Sequence, residues 1–257
     1  MRLSLYVERE GWVHRLDPVT KLIVAVVAVV LTFLLQDYAA NAAILAVSLI
    51  ILIAARALRR ALPVLAGVLI LAASFFIIQG LVYPGNETPA IVLGPVVFYR
   101  EGLLIGLRLT LRLYNILAAT LIIVLVTHPT RLVEALVRRG LSPRIGYVMM
   151  AVLQIIPTMV DRSRAIMDAQ RSRGMETEGS LWRRFRAFIP LMGPLVTSSL
   201  ISTEERALAL EVRGFGAARK PEFLSEEHIP ASAFVLRWLA VAALLFGIVA
   251  RVVLGWH

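Results

Sequence analysis

The chain of 257 residues contains no cysteine. Disulfides, thiol nucleophiles and thiolate metal ligands are therefore excluded. Lysine is nearly absent as well. Lys21 and Lys220 are the only two, and neither follows a glycine, so there is no Gly-Lys phosphate loop of the Walker A kind. If ATP drives this protein, another chain hydrolyses it. Histidine occurs four times, at His14, His128, His228 and His257, with no metal-ligand spacing. Acidic residues are scattered, without the clustered carboxylates or histidines that a membrane-embedded enzyme acting on lipid headgroups would need. No cofactor and no metal site is expected.

What is abundant is apolar. The apolar share is 59% and the mean hydropathy is +0.79. A soluble domain carries about 45–50% apolar residues. Several segments approach the roughly 20 apolar residues that cross a bilayer. The chain is expected to be an all-α membrane protein, and residues 1–20 are too charged to resemble a cleaved signal peptide.

The formal charge is +10, carried almost entirely by arginine. In a membrane protein this reads as positive cytoplasmic loops rather than nucleic-acid binding. Span candidates lie at 19–35, 42–55, 63–81, 101–127 and 232–253. Asp17 and Pro18 are placed as N-cap and first helical residue of the first, and Lys21 can snorkel to the interface. A turn cluster at 83–89 precedes a candidate hairpin at 91–99, broken by Gly94-Pro95. Loops 36–41 and 82–100 hold one basic residue, Arg100, whereas 56–60 holds Arg56, Arg59 and Arg60. This asymmetry predicts about five transmembrane helices in the cell membrane, with the N-terminus in the cytoplasm.

Residues 130–221 differ. They carry 15 Arg and Lys against 8 Asp and Glu. Thr130 is a candidate N-cap for a short amphipathic helix to Gly140. Two longer helical patterns follow, 144–173 (bent at Pro157) and 182–213. Each has an apolar half flanked by arginines, which predicts helices lying against the inner membrane face or on other helices, with their charged halves in the cytoplasm; a two-span hairpin is the alternative. The implied partition is 1–128, four transmembrane helices; 129–230, a cytoplasmic coupling domain; 231–257, the last transmembrane helix.

The pattern Ala-x-x-x-Arg-Gly closes both long helices, at 169–174 and at 209–214, with Arg173 and Arg213 spaced 40 residues apart. Each glycine suits the left-handed position after a helix. Each arginine complements the negative end of the helix dipole, worth roughly 0.3–1 kcal/mol. The apolar followers, Met175 and Phe215, can pack back to stop the helix. Two exposed cationic tips of this kind equally suit a docking surface, because a guanidinium donates up to about five hydrogen bonds.

With these features in view, the chain resembles the transmembrane T component of energy-coupling factor (ECF) importers for vitamins and metal ions, including the cobalt permeases. The resemblance rests on Trp12-Val13-His14-Arg15-Leu16-Asp17-Pro18-Val19-Thr20-Lys21, on Thr127-His128-Pro129 through Leu136, on Gln170-Arg171-Ser172-Arg173-Gly174, and on Glu211-Val212-Arg213-Gly214. It covers nearly the whole chain in order. It implies a non-catalytic subunit that anchors two cytoplasmic ATPases and binds a membrane S component, which holds the cargo. Carried over, Arg171, Ser172, Arg173 and Gly174 contact one ATPase, and Val212, Arg213 and Gly214 the other. Val212 stands where a small residue is frequent.

Further candidates come from the spans. Arg108 and Arg112 share one face of the fourth, and an intramembrane charge needs a partner or a wet path. They are candidates for contact with the S component or with neighbouring helices. Gln79, Tyr114 and Asn115 are expected to hydrogen-bond between helices; Glu204, Glu205 and Arg206 read as local helix pairing or solvated surface rather than catalysis. A stand-alone secondary transporter is the remaining rival, and it would favour inverted repeats and broken midplane helices.

Overall fold

A computed structural model describes residues 16–174, 181–216 and 231–253. Trp12–Arg15 of the opening motif, Met175, Lys220, His228 and His257 lie outside them. The described residues are helical apart from one hairpin. In chain order they form α1 (Pro18–Leu34), α2 (Tyr38–Ala54), α3 (Leu58–Gly67), α4 (Leu69–Val82), β1 (Pro89–Leu93), β2 (Val96–Tyr99), α5 (Arg100–Val126), α6 (Pro129–Arg138), α7 (Pro143–Ser172), α8 (Leu181–Val212) and α9 (Ala231–Val253). The protein is an all-α membrane protein.

Local chemistry sets several helix starts. The Asp17 carboxylate accepts from the Thr20 amide at 2.9 Å, with Pro18 at the first helical position. Asp37 does the same for α2, accepting from the Ala40 amide at 2.9 Å. Such a cap contributes about 1 kcal/mol. The hairpin forms where the β-branched run lies, with Leu93 paired to Val96 across Gly94-Pro95.

Two compact units divide the chain: one within Leu136–Glu226, the other the described parts of Arg2–Ala135 and Glu227–His257. In the latter, α5 is the central helix, with α1, α2 and α4 packed around it and α9 on α1. Small residues allow the close approaches. At Gly102, an added Cβ would fall 2.0 Å from the Gln79 carbonyl oxygen, so α4 and α5 meet there backbone to backbone. The apolar core joins Leu52, Ala57 and Ala61 to Ala118, Leu121 and Leu125.

Buried polar groups tie these helices together. Asn115 donates to the Asn41 carbonyl at 3.0 Å, and the Tyr114 hydroxyl to the Leu65 carbonyl at 3.2 Å. Gln79 enters through its main chain instead: its carbonyl accepts from the Asn86 amide group at 3.3 Å. Lys21 does not snorkel. It is buried, and its ammonium donates to the Val126 carbonyl at 3.2 Å, at an orphan position of the α5 C-terminus.

The helix bounds depart from expectation in two places. The third span begins at Leu58, so Pro63 sits within α3 rather than at its start. Helix α6 begins at Pro129, which puts Thr130 inside its first turn. Among the described residues, four helices are long and apolar enough to cross a membrane: Leu58–Val82, Arg100–Val126, Pro143–Ser172 and Ser232–Val253. α7 meets that measure because its first half is continuous with few charges. α1 and α2 are apolar too, but hold 17 residues each.

Candidate functional site

The site is built on the helical hairpin of α7 and α8. Arg162 of α7 donates to the Ser198 carbonyl at 3.3 Å, and the Ser199 hydroxyl meets the Met159 sulfur at 3.3 Å. Toward one end, the Tyr147 and Phe215 rings lie 5.1 Å apart, tilted by 54°. The Arg144 guanidinium passes beside Gly216, 3.9 Å from where a Cβ would stand. As the residue number rises on one helix it falls on the other, so the two run antiparallel. The C-terminus of α7 and that of α8 therefore point to opposite ends. At about 1.5 Å per residue, Arg173 and Arg213 are roughly 40 Å apart along the pair.

Both ends stop on a glycine in the left-handed region. Gly174 has φ 84° and Gly214 has φ 71°, a conformation that favours glycine. The Gly174 amide bonds the Arg171 carbonyl at 2.9 Å, and the Gly214 amide bonds the Glu211 carbonyl at 2.9 Å. The Phe215 amide then reaches the Leu210 carbonyl at 2.9 Å, which completes a Schellman motif. Phe215 turns back to Tyr147, so the apolar follower packs on the neighbouring helix.

The tips differ in how their arginines are held. Arg171 lies 3.9 Å from Asp168 one turn earlier, and the Ser172 hydroxyl donates to the Asp168 carbonyl at 3.1 Å. Arg173 and Arg213 are exposed, and neither forms a side-chain hydrogen bond or ion pair with any described residue. Beside Arg213, Val212 is 89% exposed, an apolar group left open next to a free guanidinium. Such an arrangement can receive carboxylates and carbonyls of another protein. Among the described residues no three His, Cys, Asp or Glu side chains gather as a metal site.

The sequence holds a third copy of the pattern. Ala135-Leu136-Val137-Arg138-Arg139-Gly140 repeats Ala-x-x-x-Arg-Gly, followed by apolar Leu141. Gly140 has φ 110°, its amide bonds the Val137 carbonyl at 3.1 Å, and the Leu141 amide bonds the Leu136 carbonyl at 3.0 Å. The same six-residue search would have found it. The pattern is thus first a way to stop a helix, and its use at a tip depends on what surrounds it.

Arg237 is a second residue that sequence reasoning passed over. From α9 it forms an ion pair with Asp17, and its Nε donates to the Thr20 hydroxyl at 2.7 Å. The opening motif is thereby fastened to the last span. Arg108 and Arg112 lie elsewhere in this unit, against aromatic rings of the α1–α2 turn. The Arg108 guanidinium is 5.0 Å from the Tyr38 ring centre, and that of Arg112 is 5.6 Å from the Phe33 ring centre.

Comparison with known proteins places these features in a family context. The cobalt transport protein family model, CbiQ, matches residues 9–223. The energy-coupling factor transporter transmembrane protein EcfT of Heliobacterium modesticaldum is 36% identical over 226 residues, 82% of each chain. The protein of that name from Macrococcus caseolyticus is 30% identical over 229 residues, 84% of each chain. That of Bacillus selenitireducens is 30% identical over 227 residues, 83% of each.

Proposed function

From the premise that this chain belongs to the CbiQ cobalt transport protein family, we propose that it is the energy-coupling transmembrane subunit of an ECF-type importer for vitamins or metal ions. It is a transport subunit rather than an enzyme, and ATP is hydrolysed by two cytoplasmic ATPase partners. The cargo is held by a membrane S component. The observation that carries this reading is the pair of exposed, unpartnered arginines, Arg173 and Arg213, at opposite ends of one antiparallel helix pair. Two grips roughly 40 Å apart suit two separate subunits better than one ligand.

The coupling follows from stiffness. ATP binding closes the two ATPases and moves their surfaces relative to each other. Arg173 with Arg171, Ser172 and Gly174 rides on one, and Arg213 with Val212 and Gly214 on the other. Because α7 and α8 interlock at Met159, Arg162, Ser198 and Ser199, displacement at the tips is passed to the rest of each helix. There, Ile145, Val148, Val152 and Ile156 form an exposed apolar stripe at helical spacing on α7. That stripe is a surface for the S component or the bilayer.

In this reading residues 1–128 and 231–257 are membrane-embedded and 129–230 form the coupling domain. The N-terminus is cytoplasmic in the cell membrane, a placement supported by the basic loop 56–60. The experiment is affinity purification of the tagged full chain from its own membranes. Two ATPase chains and a small membrane protein should co-purify, and transport should require all of them. Transport by the isolated chain in liposomes would refute the assignment.

A further inference from the structure

The α1–α2 hairpin is short. Its helices hold 17 residues each, about 25 Å at ~1.5 Å per residue. α5, against which both pack, holds 27 residues, about 40 Å on the same measure. A bilayer hydrocarbon core is about 30 Å thick. Lys21 touches Val126 at one end, and Phe33 and Tyr38 meet Arg112 and Arg108 farther along. The 35–37 turn therefore ends partway along α5, and α5 with the 89–99 hairpin continues beyond it. A span shorter than the bilayer is accommodated by local thinning, which draws lipid headgroups inward, or by snorkelling side chains.

Two arginines stand at that step. Arg108 and Arg112 are one helical turn apart on one face, both half-buried. Their side chains lie over Tyr38 and Phe33, which flank the turn. Arg108 donates to the Tyr38 hydroxyl at 3.2 Å; Arg112 forms no hydrogen bond to any described residue. The Nε atoms of both are enclosed without an acceptor, so their terminal nitrogens are the route to a counter-charge. No carboxylate of the described residues pairs with either, and Asp37, the acid at the turn, is engaged in capping α2. Two uncompensated charges at membrane depth are costly unless an anion meets them.

We propose that Arg108 and Arg112 bind the phosphate of a phospholipid headgroup in the leaflet at the 35–37 turn, the outer leaflet in the orientation given above. Guanidinium forks match a phosphate with two parallel hydrogen bonds each, and the aromatic rings beneath hold the forks in place. Phe33, half exposed, places an apolar surface beside the bound headgroup. Through this site lipid fixes the short hairpin against α5. The inference rests on hairpin length and side-chain placement, not on the ATPase assignment, so either can fail alone.

The test is native mass spectrometry of the full chain released from bilayers of phosphatidylglycerol or of digalactosyldiacylglycerol, a bilayer-forming lipid without phosphate. The expected result is one phosphatidylglycerol retained and no galactolipid. Arg108→Gln/Arg112→Gln should reduce retention about tenfold or more, and Arg251→Gln, at the end of α9, should leave it unchanged. If the glutamine pair does not fold, Arg108→Lys/Arg112→Lys decides: charge without the fork should give weaker retention than wild type. Equal retention in wild type and the lysine or glutamine pair, or an equal loss in Arg251→Gln, overturns the proposal. So does displacement of the lipid by millimolar inorganic phosphate. Unchanged lipid retention with loss of a co-purifying membrane protein would also overturn it, and assign the arginines to a partner's carboxylate.

Discussion

Phe215 and Tyr147 lie ring to ring, 5.1 Å between centres, joining the residue after one helix end to the first turns of the antiparallel neighbour. The end of α8 is thereby held by α7 rather than left to fray. An aromatic pair of this geometry contributes about 0.5–1.5 kcal/mol beyond the area it buries. Phe215→Ala should therefore speed amide hydrogen exchange in the last turn of α8 by roughly two- to tenfold. Exchange in the last turn of α7, at the opposite end, should be unchanged. Uniform exchange in variant and wild type would show that the ring contact holds nothing.

The two glycines predict a graded series. Gly214 and Gly174 occupy positive φ, which costs a residue with a Cβ about 1–2 kcal/mol. Asparagine tolerates that region better than alanine. Melting temperatures of the purified chain should fall in the order wild type, Asn, Ala at either position. An alanine variant as stable as wild type would mean that the helix ends do not need this geometry.

Asp17 and Arg237 predict coupling between the first and last helices. The Asp17 side chain is 1% exposed and that of Arg237 27%. Removing one partner of a buried pair costs up to roughly 3–5 kcal/mol, although Asp17 keeps its bonds to Thr20 and the charge of Lys21 when Arg237 is lost. Arg237→Met and Asp17→Ala should each lower the thermal stability of the detergent-extracted protein sharply. The double variant should lose less than the two losses combined, by about 1–3 kcal/mol. Strict additivity would show that the pair is not an energetic unit.

Much of this was legible in the residues because it is local. Asp17-Pro18, the Gly94-Pro95 hairpin and the two glycine-stopped helices depend on a few neighbouring residues, so the sequence alone predicts them. Partner choice between helices is not local. Apolar spans read alike in any arrangement, so nothing showed that Arg237 would meet Asp17 and Thr20, or that Lys21 would turn inward to Val126. Arg108 and Arg112 were visible as intramembrane charges, while their aromatic platforms at Phe33 and Tyr38 required the short hairpin to be seen against α5. The third Arg-Gly end, at Arg139-Gly140, is as local as the other two and equally legible in the residues.

The central claim is that Arg173 and Arg213 are contacts for two ATPases, and alanine variants test it most directly. In a pull-down of partner ATPases by the full chain in detergent, Arg173→Ala and Arg213→Ala should each weaken binding by roughly 2 kcal/mol or more, as anchoring arginines do. Arg171→Ala, whose side chain is already engaged by Asp168, should have a smaller effect. The double variant should insert in the membrane at wild-type level yet recover neither ATPase. Unchanged ATPase recovery and unchanged transport in the double variant would contradict the account.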